Sequence, residues 1–289
     1  MLTATLVTGL GLGAMYGLIA LGFHITYAVS GTVNFAQGSA VTLGAVLGYW
    51  LGVTLGWPMW LAVLLALAGC ALLGVAVERL LVRPFVERGS DAWLLATVAG
   101  GIILDNTLLF TFGKEPRSLP SPLAVAPVQV FGAGIYPLQL VIPVIGVAVA
   151  VVIRTVFRRT DLGRVLLAVA QNADAARLMG IDVRRTVACA FALSAVLAGV
   201  AGLLIAPLFS VSAEMGALFG IKAFAVAILG GIGSATGVVV AGLLYGLLEA
   251  TVTATLGSAY TQLVVFSVII LALALRPDGL FGRRAVNKV

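Results

Sequence analysis

Residues 1–77 read MLTATLVTGLGLGAMYGLIALGFHITYAVSGTVNFAQGSAVTLGAVLGYWLGVTLGWPMWLAVLLALAGCALLGVAV, without a single Asp, Glu, Lys or Arg. The first full charge is Glu78. A helix needs about 20 apolar residues to cross the hydrocarbon, so this stretch has room for three crossings. Residues 118–153, 186–213, 223–248 and 250–275 are also free of charge, and each has room for one. No segment alternates polar and apolar residues, so a β-barrel is not expected. Of the 289 residues, 61% are hydrophobic and only 10% charged, against about 25% charged in soluble proteins. There is too little polar surface to cover a water-soluble body. The composition excludes a soluble enzyme, a disordered tail and a nucleic-acid-binding domain. It leaves a polytopic protein whose solvent is mostly lipid.

A net charge of +6 could suggest a nucleic-acid partner, but the positions of the charges argue otherwise. Fourteen of the 17 basic residues fall in three short segments. Arg79, Arg83 and Arg88 lie in 78–91. Arg154, Arg158, Arg159, Arg164, Arg177, Arg184 and Arg185 lie in 154–186. Arg276, Arg283, Arg284 and Lys288 lie at the C-terminus. Such clustering marks cytoplasmic loops. The proline-rich loop 113–137 holds only Lys114 and Arg117 and is expected outside. Cys70 and Cys189 sit in apolar runs and read as small packing residues. Residues 1–28 lack a basic leader and read as a retained first span.

Nine apolar segments follow, at 2–28, 39–56, 60–77, 93–112, 138–157, 187–209, 217–230, 236–256 and 260–275. Nine crossings put the N-terminus outside; eight, with one broken segment dipping in and returning, is the alternative. The expected fold is an all-α polytopic transmembrane bundle of 8–9 segments. It forms one transmembrane domain over 1–289, with a cytoplasmic segment at about 158–186. Gly9, Gly13 and Gly17, Gly44, Gly48, Gly52 and Gly56, and Gly242 and Gly246 recur every four residues, as helix-packing stripes do. Two breaks interrupt the helical pattern: Ser30 to Gly38, and Gly230-Gly231-Ile232-Gly233-Ser234. Non-helical backbone at membrane depth is tolerated only inside protein or beside a water-filled path. Gly-interrupted segments in the two halves of a chain point to a transport path. Two ordinary interhelical turns are the plainer alternative.

Segment 154–186 is too long for a simple connector. Asp161 and Gly163 precede the helix former Arg164 to Ala170. Asn172 can cap a second short helix, Ala173 to Met179, which Gly180 would stop in the left-handed region. Ala168, Ala170, Ala175 and Ala176 leave a surface that could enter a partner's groove. A helix resting on anionic lipid is the alternative.

Four blocks then carry a resemblance: GLIALGFHITYAVSGTVNFAQG (17–38), GRVLLAVAQNADAARLMGI (163–181), GIKAFAVAILGGIGSATG (220–237) and PDGLFG (277–282). In this order they span most of the chain, and it resembles the LivH-type permeases of branched-chain amino acid importers driven by ATP-binding-cassette subunits. Asn34-Phe35-Ala36-Gln37-Gly38 and Ala227 to Ser234 are the most specific parts. The resemblance implies a bacterial inner-membrane location and a second, related permease subunit. It also implies two cytoplasmic ATPase subunits and an external solute-binding protein. Residues 163–181 would couple to an ATPase, with Gly163, Arg164, Ala170, Asn172, Ala175, Ala176 and Gly180 as candidates. Leu167 stands where that family commonly has arginine, and Asp105 where it often has neutral glutamine.

Polar residues inside the spans are few: His24, Asn34, Gln37, Asp105, Asn106, Lys222 and Glu249. Ionisable groups there cost about 2.5–3.5 kcal/mol at mid-helix and are functional candidates. Lys222 and Glu249 could form an ion pair or touch a solute. Asn34, Phe35 and Gln37, with Lys222 and Glu249, are the candidates for the path, and Gly230, Gly231 and Gly233 for the helix break. No Gly-x-x-x-x-Gly-Lys-Ser/Thr motif is present, so ATP and magnesium are expected on the partner subunits and no cofactor on this chain. One histidine and two distant cysteines cannot build a zinc site. The expected function is that of a non-enzymatic permease subunit for branched-chain or other small hydrophobic amino acids. A proton-coupled transporter or a channel is the alternative.

Overall fold

The computed structural model describes residues 2–282 apart from Val125, Phe131 and Gly132. Arg283, Arg284 and Lys288 of the basic C-terminus lie outside the described residues. Eleven helices follow in order: α1 (Leu2–Ser30), α2 (Gln37–Tyr49), α3 (Met59–Val77), α4 (Trp93–Phe112), α5 (Pro137–Arg159), α6 (Asp161–Gln171), α7 (Ala173–Leu178), α8 (Val183–Ile205), α9 (Met215–Gly230), α10 (Ala235–Leu256) and α11 (Ser258–Leu275). Seven are long and apolar enough to cross a membrane: α1, α4, α5, α8, α10, α11 and the rod Met59–Val86 that extends α3. The chain is a polytopic helical membrane bundle. α9 is a shorter apolar helix, and α2 is prolonged by a wide turn over Trp50–Thr54.

α1 is the axis of the bundle. It packs along α10 and α8, and α8 in turn holds α2 and α3. The glycine stripes explain how close these backbones lie. A Cβ on Gly13 would stand 2.7 Å from the Gly242 carbonyl oxygen, and one on Gly44 would stand 2.6 Å from Gly199 Cα. Where lipid removes the hydrophobic drive between helices, such approach supplies the packing attraction. One stripe is shorter than expected. Gly56 lies beyond the helical residues in a positive-φ turn, and nothing would meet its Cβ.

The first charges do not end their helix. α3 runs on through a wide turn, Glu78–Val82, into Arg83–Val86. Pro84 has no N–H for the preceding turn, and widening the ladder accommodates that loss. Glu78 is buried and accepts two hydrogen bonds from Arg83, at 2.9 and 2.6 Å, which neutralises the charge at the end of the rod. The loop 113–136 also holds something the sequence reading did not anticipate. Its antiparallel hairpin pairs β1 (Val128–Val130) with β2 (Ala133–Ile135). Arg117 in the same loop exchanges two backbone hydrogen bonds with Val211, tying it to the α8–α9 connection.

Candidate translocation site

The first break is a short unwound stretch, Gly31 to Ala36, between α1 and α2. Gly31 leaves the helix at φ +69°, a conformation that costs a residue with a Cβ about 1–2 kcal/mol. The Asn34 side-chain oxygen then accepts from the Ala36 N–H at 3.0 Å and closes a turn that restarts the helix at Gln37. Gln37 donates to the Ser194 carbonyl at 3.0 Å and accepts from the Ser194 hydroxyl at 3.0 Å. Ser194 lies midway along α8, so the break reaches well inside the bundle. Gly22 makes room for this pair, because a Cβ there would stand 2.9 Å from Ser194 Oγ. Asn34 is 1% exposed and Gln37 0%, and each makes its polar contacts within the protein.

Phe35, between them, points the other way. Its ring meets Phe224 of α9 edge-on at 5.2 Å, and Phe23 of α1 meets Phe224 at 5.5 Å. The three rings form one wall of a cleft of about 270 Å³ between α4 and α9. Val98, Ile102 and Ile221 continue the apolar lining, with Gly38, Gly101 and Gly220 opening the space. Asp105 of α4 also lines it, and its Oδ1 is buried without a hydrogen-bond partner among the described residues. The Ser39 hydroxyl in the same wall donates to the Gly101 carbonyl at 3.2 Å.

α9 presents different residues to its two sides. Ala217, Gly220, Ile221 and Phe224 face the cleft. Lys222 turns inward to α1 and α10, donating to Glu249 at 2.5 Å and to the Tyr16 hydroxyl at 3.3 Å. Lys222 and Glu249 are 7% and 8% exposed. Tyr16 stacks edge-on with Tyr245 at 5.1 Å and lies 5.8 Å from Phe219, an aromatic box around the pair. Glu249 Oε2 has no hydrogen-bond partner among the described residues, while the Tyr16 hydroxyl lies against the same carboxylate.

The second break, Gly231 to Ser234, lies against the end of the described chain. Gly231 has φ +81°, and Leu280 donates its N–H to the Leu229 carbonyl at 2.7 Å. Gly230 ends α9, while Ser234 caps α10 by accepting from the Gly237 N–H at 3.2 Å. A Cβ on Gly233 would meet nothing. His24 reaches the same turn, its Nδ1 2.7 Å from the Ile232 carbonyl. The blocks 220–237 and 277–282, distant in sequence, therefore form one cluster with the end of α1.

The segment 158–186 contains two short helices with side-chain caps. Thr160 accepts from the Gly163 N–H at 3.1 Å, and Asn172 from the Ala175 N–H at 2.9 Å. α7 ends at Leu178, one residue before the expected limit, and Gly180 follows with φ +82°. Gly163 is buried beneath α5, where a Cβ would stand 2.6 Å from the Phe157 carbonyl oxygen. Ala176 is buried and Ala170 half-buried, whereas Asn172, Ala175 and Gly180 are exposed. Arg164 is exposed and pairs with Asp161 at 2.9 Å. Leu178 and Met179, 90% and 82% exposed, form an apolar tip.

The candidates thus fall into three places: Asn34 and Gln37 in a buried network, Phe35 in the cleft, and Lys222 with Glu249 on the inward side of α9. Sequence reasoning passed over Ser194, Tyr16, Ser39 and Phe224. None of them stands out from its apolar surroundings as a local pattern. Phe35, within the first break, and Asp105, as an isolated charge within a span, are the cleft residues that carried a sequence signal.

A family model described as "Branched-chain amino acid transport system / permease component" matches residues 5–273. The chain is 32% identical over 294 residues to the high-affinity branched-chain amino acid transport system permease protein LivH of Escherichia coli K12, with 97% of this chain and 96% of that protein covered. It is also 32% identical over 298 residues to the permease protein BraD of Pseudomonas aeruginosa, covering 98% and 97%. The ribose import permease protein RbsC of Haemophilus influenzae matches at 26% over 276 residues, covering 92% and 82%. Among solved structures, a chain of PsaBC from Streptococcus pneumoniae in complex with Fab matches with a TM-score of 0.50 and 15% identity. That match covers 94% of this chain and 91% of the other, and it is a likeness of fold.

Proposed function

This chain belongs to the branched-chain amino acid transport system permease family, and we propose that it is one permease subunit of an ATP-driven importer in a bacterial inner membrane. Its solutes would be branched-chain or other small hydrophobic amino acids. It would supply half of a gated path, without catalysis and without a cofactor of its own. ATP and magnesium would sit on two cytoplasmic ATPase subunits, and an external binding protein would deliver the solute.

The observation that carries the coupling role is the apolar tip Leu178–Met179, raised at the end of two capped helices in the most arginine-rich part of the chain. Large exposed apolar groups flanked by charge mark contact surfaces. Arginines mark the cytoplasmic side. A tip of this kind would sit in an ATPase groove, and α6 and α7 would pass its movement to α5 and α8. The path would run along the cleft between α4 and α9, which Ile102 and Ile221 leave open at the outer surface of the bundle. A second permease seated there would close it. Asn34 and Gln37 would hold the base of α2 against α8 while Phe35 faces the solute.

The test is labelled leucine uptake by proteoliposomes holding the whole assembly, with ATP inside the coupled compartment. The reading expects uptake only with ATP and the binding protein. Leu178→Ser with Met179→Ser should lower leucine-stimulated ATP hydrolysis and co-purification of the ATPase subunits, with the permease still in the membrane. Full hydrolysis and full co-purification would remove 163–181 from the coupling role. Uptake driven by a proton gradient without ATP would instead select the secondary transporter.

A further inference from the structure

We propose that the cleft between α4 and α9 is a binding site for a protonated primary amine on an apolar body, with Asp105 as the group that reads its charge. Taking that amine to be an amino acid rests on the permease reading above.

Asp105 Oδ1 is buried at the cleft wall and has no hydrogen-bond partner among the described residues. Among the described residues no Lys, Arg or His forms an ion pair with Asp105. The neighbouring Ser39 hydroxyl lies against the Asp105 carboxyl, with its proton directed to the Gly101 carbonyl at 3.2 Å. Asp105 as a whole is half-buried, but a buried carboxylate oxygen is ordinarily paired, and Oδ1 is left for a cation that enters the cleft. The rest of the wall states what else the cation carries. Phe23, Phe35 and Phe224 form one wall, Val98 and Ile102 of α4 line the other, and Ile221 of α9 lies with Ile102 at the open rim. Among the described residues no cation lines the cleft to neutralise a solute carboxylate. The space, about 270 Å³, exceeds the roughly 150 Å³ that accepts benzene, and a branched aliphatic side chain with its ammonium group fits. An ammonium against Asp105 makes a charge-assisted hydrogen bond, about twice as strong as a neutral one, in surroundings where water competes little. Selection for the amino group would then be exerted by the permease itself, at a position absent from the two buried polar networks.

The test uses the purified assembly in lipid nanodiscs without the binding protein, and measures binding of labelled 3-methylbutylamine, leucine and 4-methylpentanoate. The amine should bind most tightly, leucine more weakly because its carboxylate finds no cation there, and the acid, which has the same body without the ammonium, should not bind. Asp105→Asn should weaken amine binding at least tenfold and Asp105→Glu should keep part of it, both with the parent's membrane abundance. Three results overturn the proposal: no amine binding by the parent, equal binding of acid and amine, or undiminished binding by Asp105→Asn. Loss of the second permease from Asp105→Asn preparations would assign the carboxylate to the subunit contact and also overturn it. Leucine uptake measured in parallel separates the two readings. A parent that transports leucine while Asp105→Asn binds amine normally removes only this site. A parent that binds amine but moves no leucine keeps the site and removes the leucine-permease reading.

Discussion

At the residue scale, two buried polar networks lend themselves to opposite tests. Gln37 and Ser194 exchange two hydrogen bonds between the start of α2 and the middle of α8. Interhelical hydrogen bonds in membranes average about 0.6 kcal/mol, with a maximum near 1.7. A double-mutant cycle of Gln37→Leu and Ser194→Ala, read by detergent unfolding of the purified chain, should therefore show coupling of about 0.6–1.7 kcal/mol. Additive losses would mean that the two side chains do not cooperate. Lys222 and Glu249 form an ion pair at 2.5 Å within an aromatic box. Removing one partner of a buried pair leaves an uncompensated charge and typically costs about 3–5 kcal/mol, whereas an apolar replacement of both is often neutral. Lys222→Met should destabilise strongly, and adding Glu249→Leu should restore most of the loss. If the pair also touches solute, the restored double variant will be stable but silent in leucine uptake.

At the scale of the element, glycine stripes are legible in sequence but their partners are not. Gly13 and Gly17 share one stripe of α1, yet they differ in what faces them. A Cβ on Gly13 would stand 2.7 Å from Gly242 O and Leu243 Cα, while one on Gly17 would meet Val239 O at 3.6 Å. Overpacking costs about 1–3 kcal/mol. Gly13→Ala should lower the unfolding midpoint accordingly, and Gly17→Ala should leave it within about 0.5 kcal/mol of the parent. Equal effects would mean that α1 and α10 can part without cost. In 158–186 the second short helix is legible from its cap and stop, which are local chemistry, whereas the first starts at Asp161 under a Thr160 cap, three residues before the expected Arg164. Asn172 caps α7 through its side chain, and Gly180 takes the positive φ that ends the turn. Gly180→Val should cost about 1–2 kcal/mol, too little to unfold the bundle but enough to tilt the Leu178–Met179 tip. Its expected signature is reduced ATPase co-purification at unchanged membrane abundance.

For the whole molecule, charge position and tertiary contact make the same statement about sides. Arg117 and Val211 are hydrogen-bonded, so the loop 113–136 and the α8–α9 connection share a face. Arg83 donates to the Arg184 carbonyl, so the end of the α3 rod and the start of α8 share another. An impermeant thiol reagent applied to intact cells should label Ser118→Cys and Ser210→Cys. It should reach Asp91→Cys and Ala175→Cys only after the cells are opened, and the reverse pattern would invert the bundle. The membrane class, the arginine-marked side and the cap positions are properties of short stretches, and the chain states them directly. Charge cannot sit in hydrocarbon without cost, and a cap needs only its own next three residues. The pairing of Gln37 with Ser194 157 positions away, of Lys222 with Tyr16 206 away, and the meeting of Phe35, Phe224 and Asp105 around one cleft are different in kind. Each depends on which face of one helix meets which face of another, and nearly uniform apolar helices carry no periodic signal to tell those faces apart. Only close packing of the bundle, set by where glycines let backbones touch, selects them.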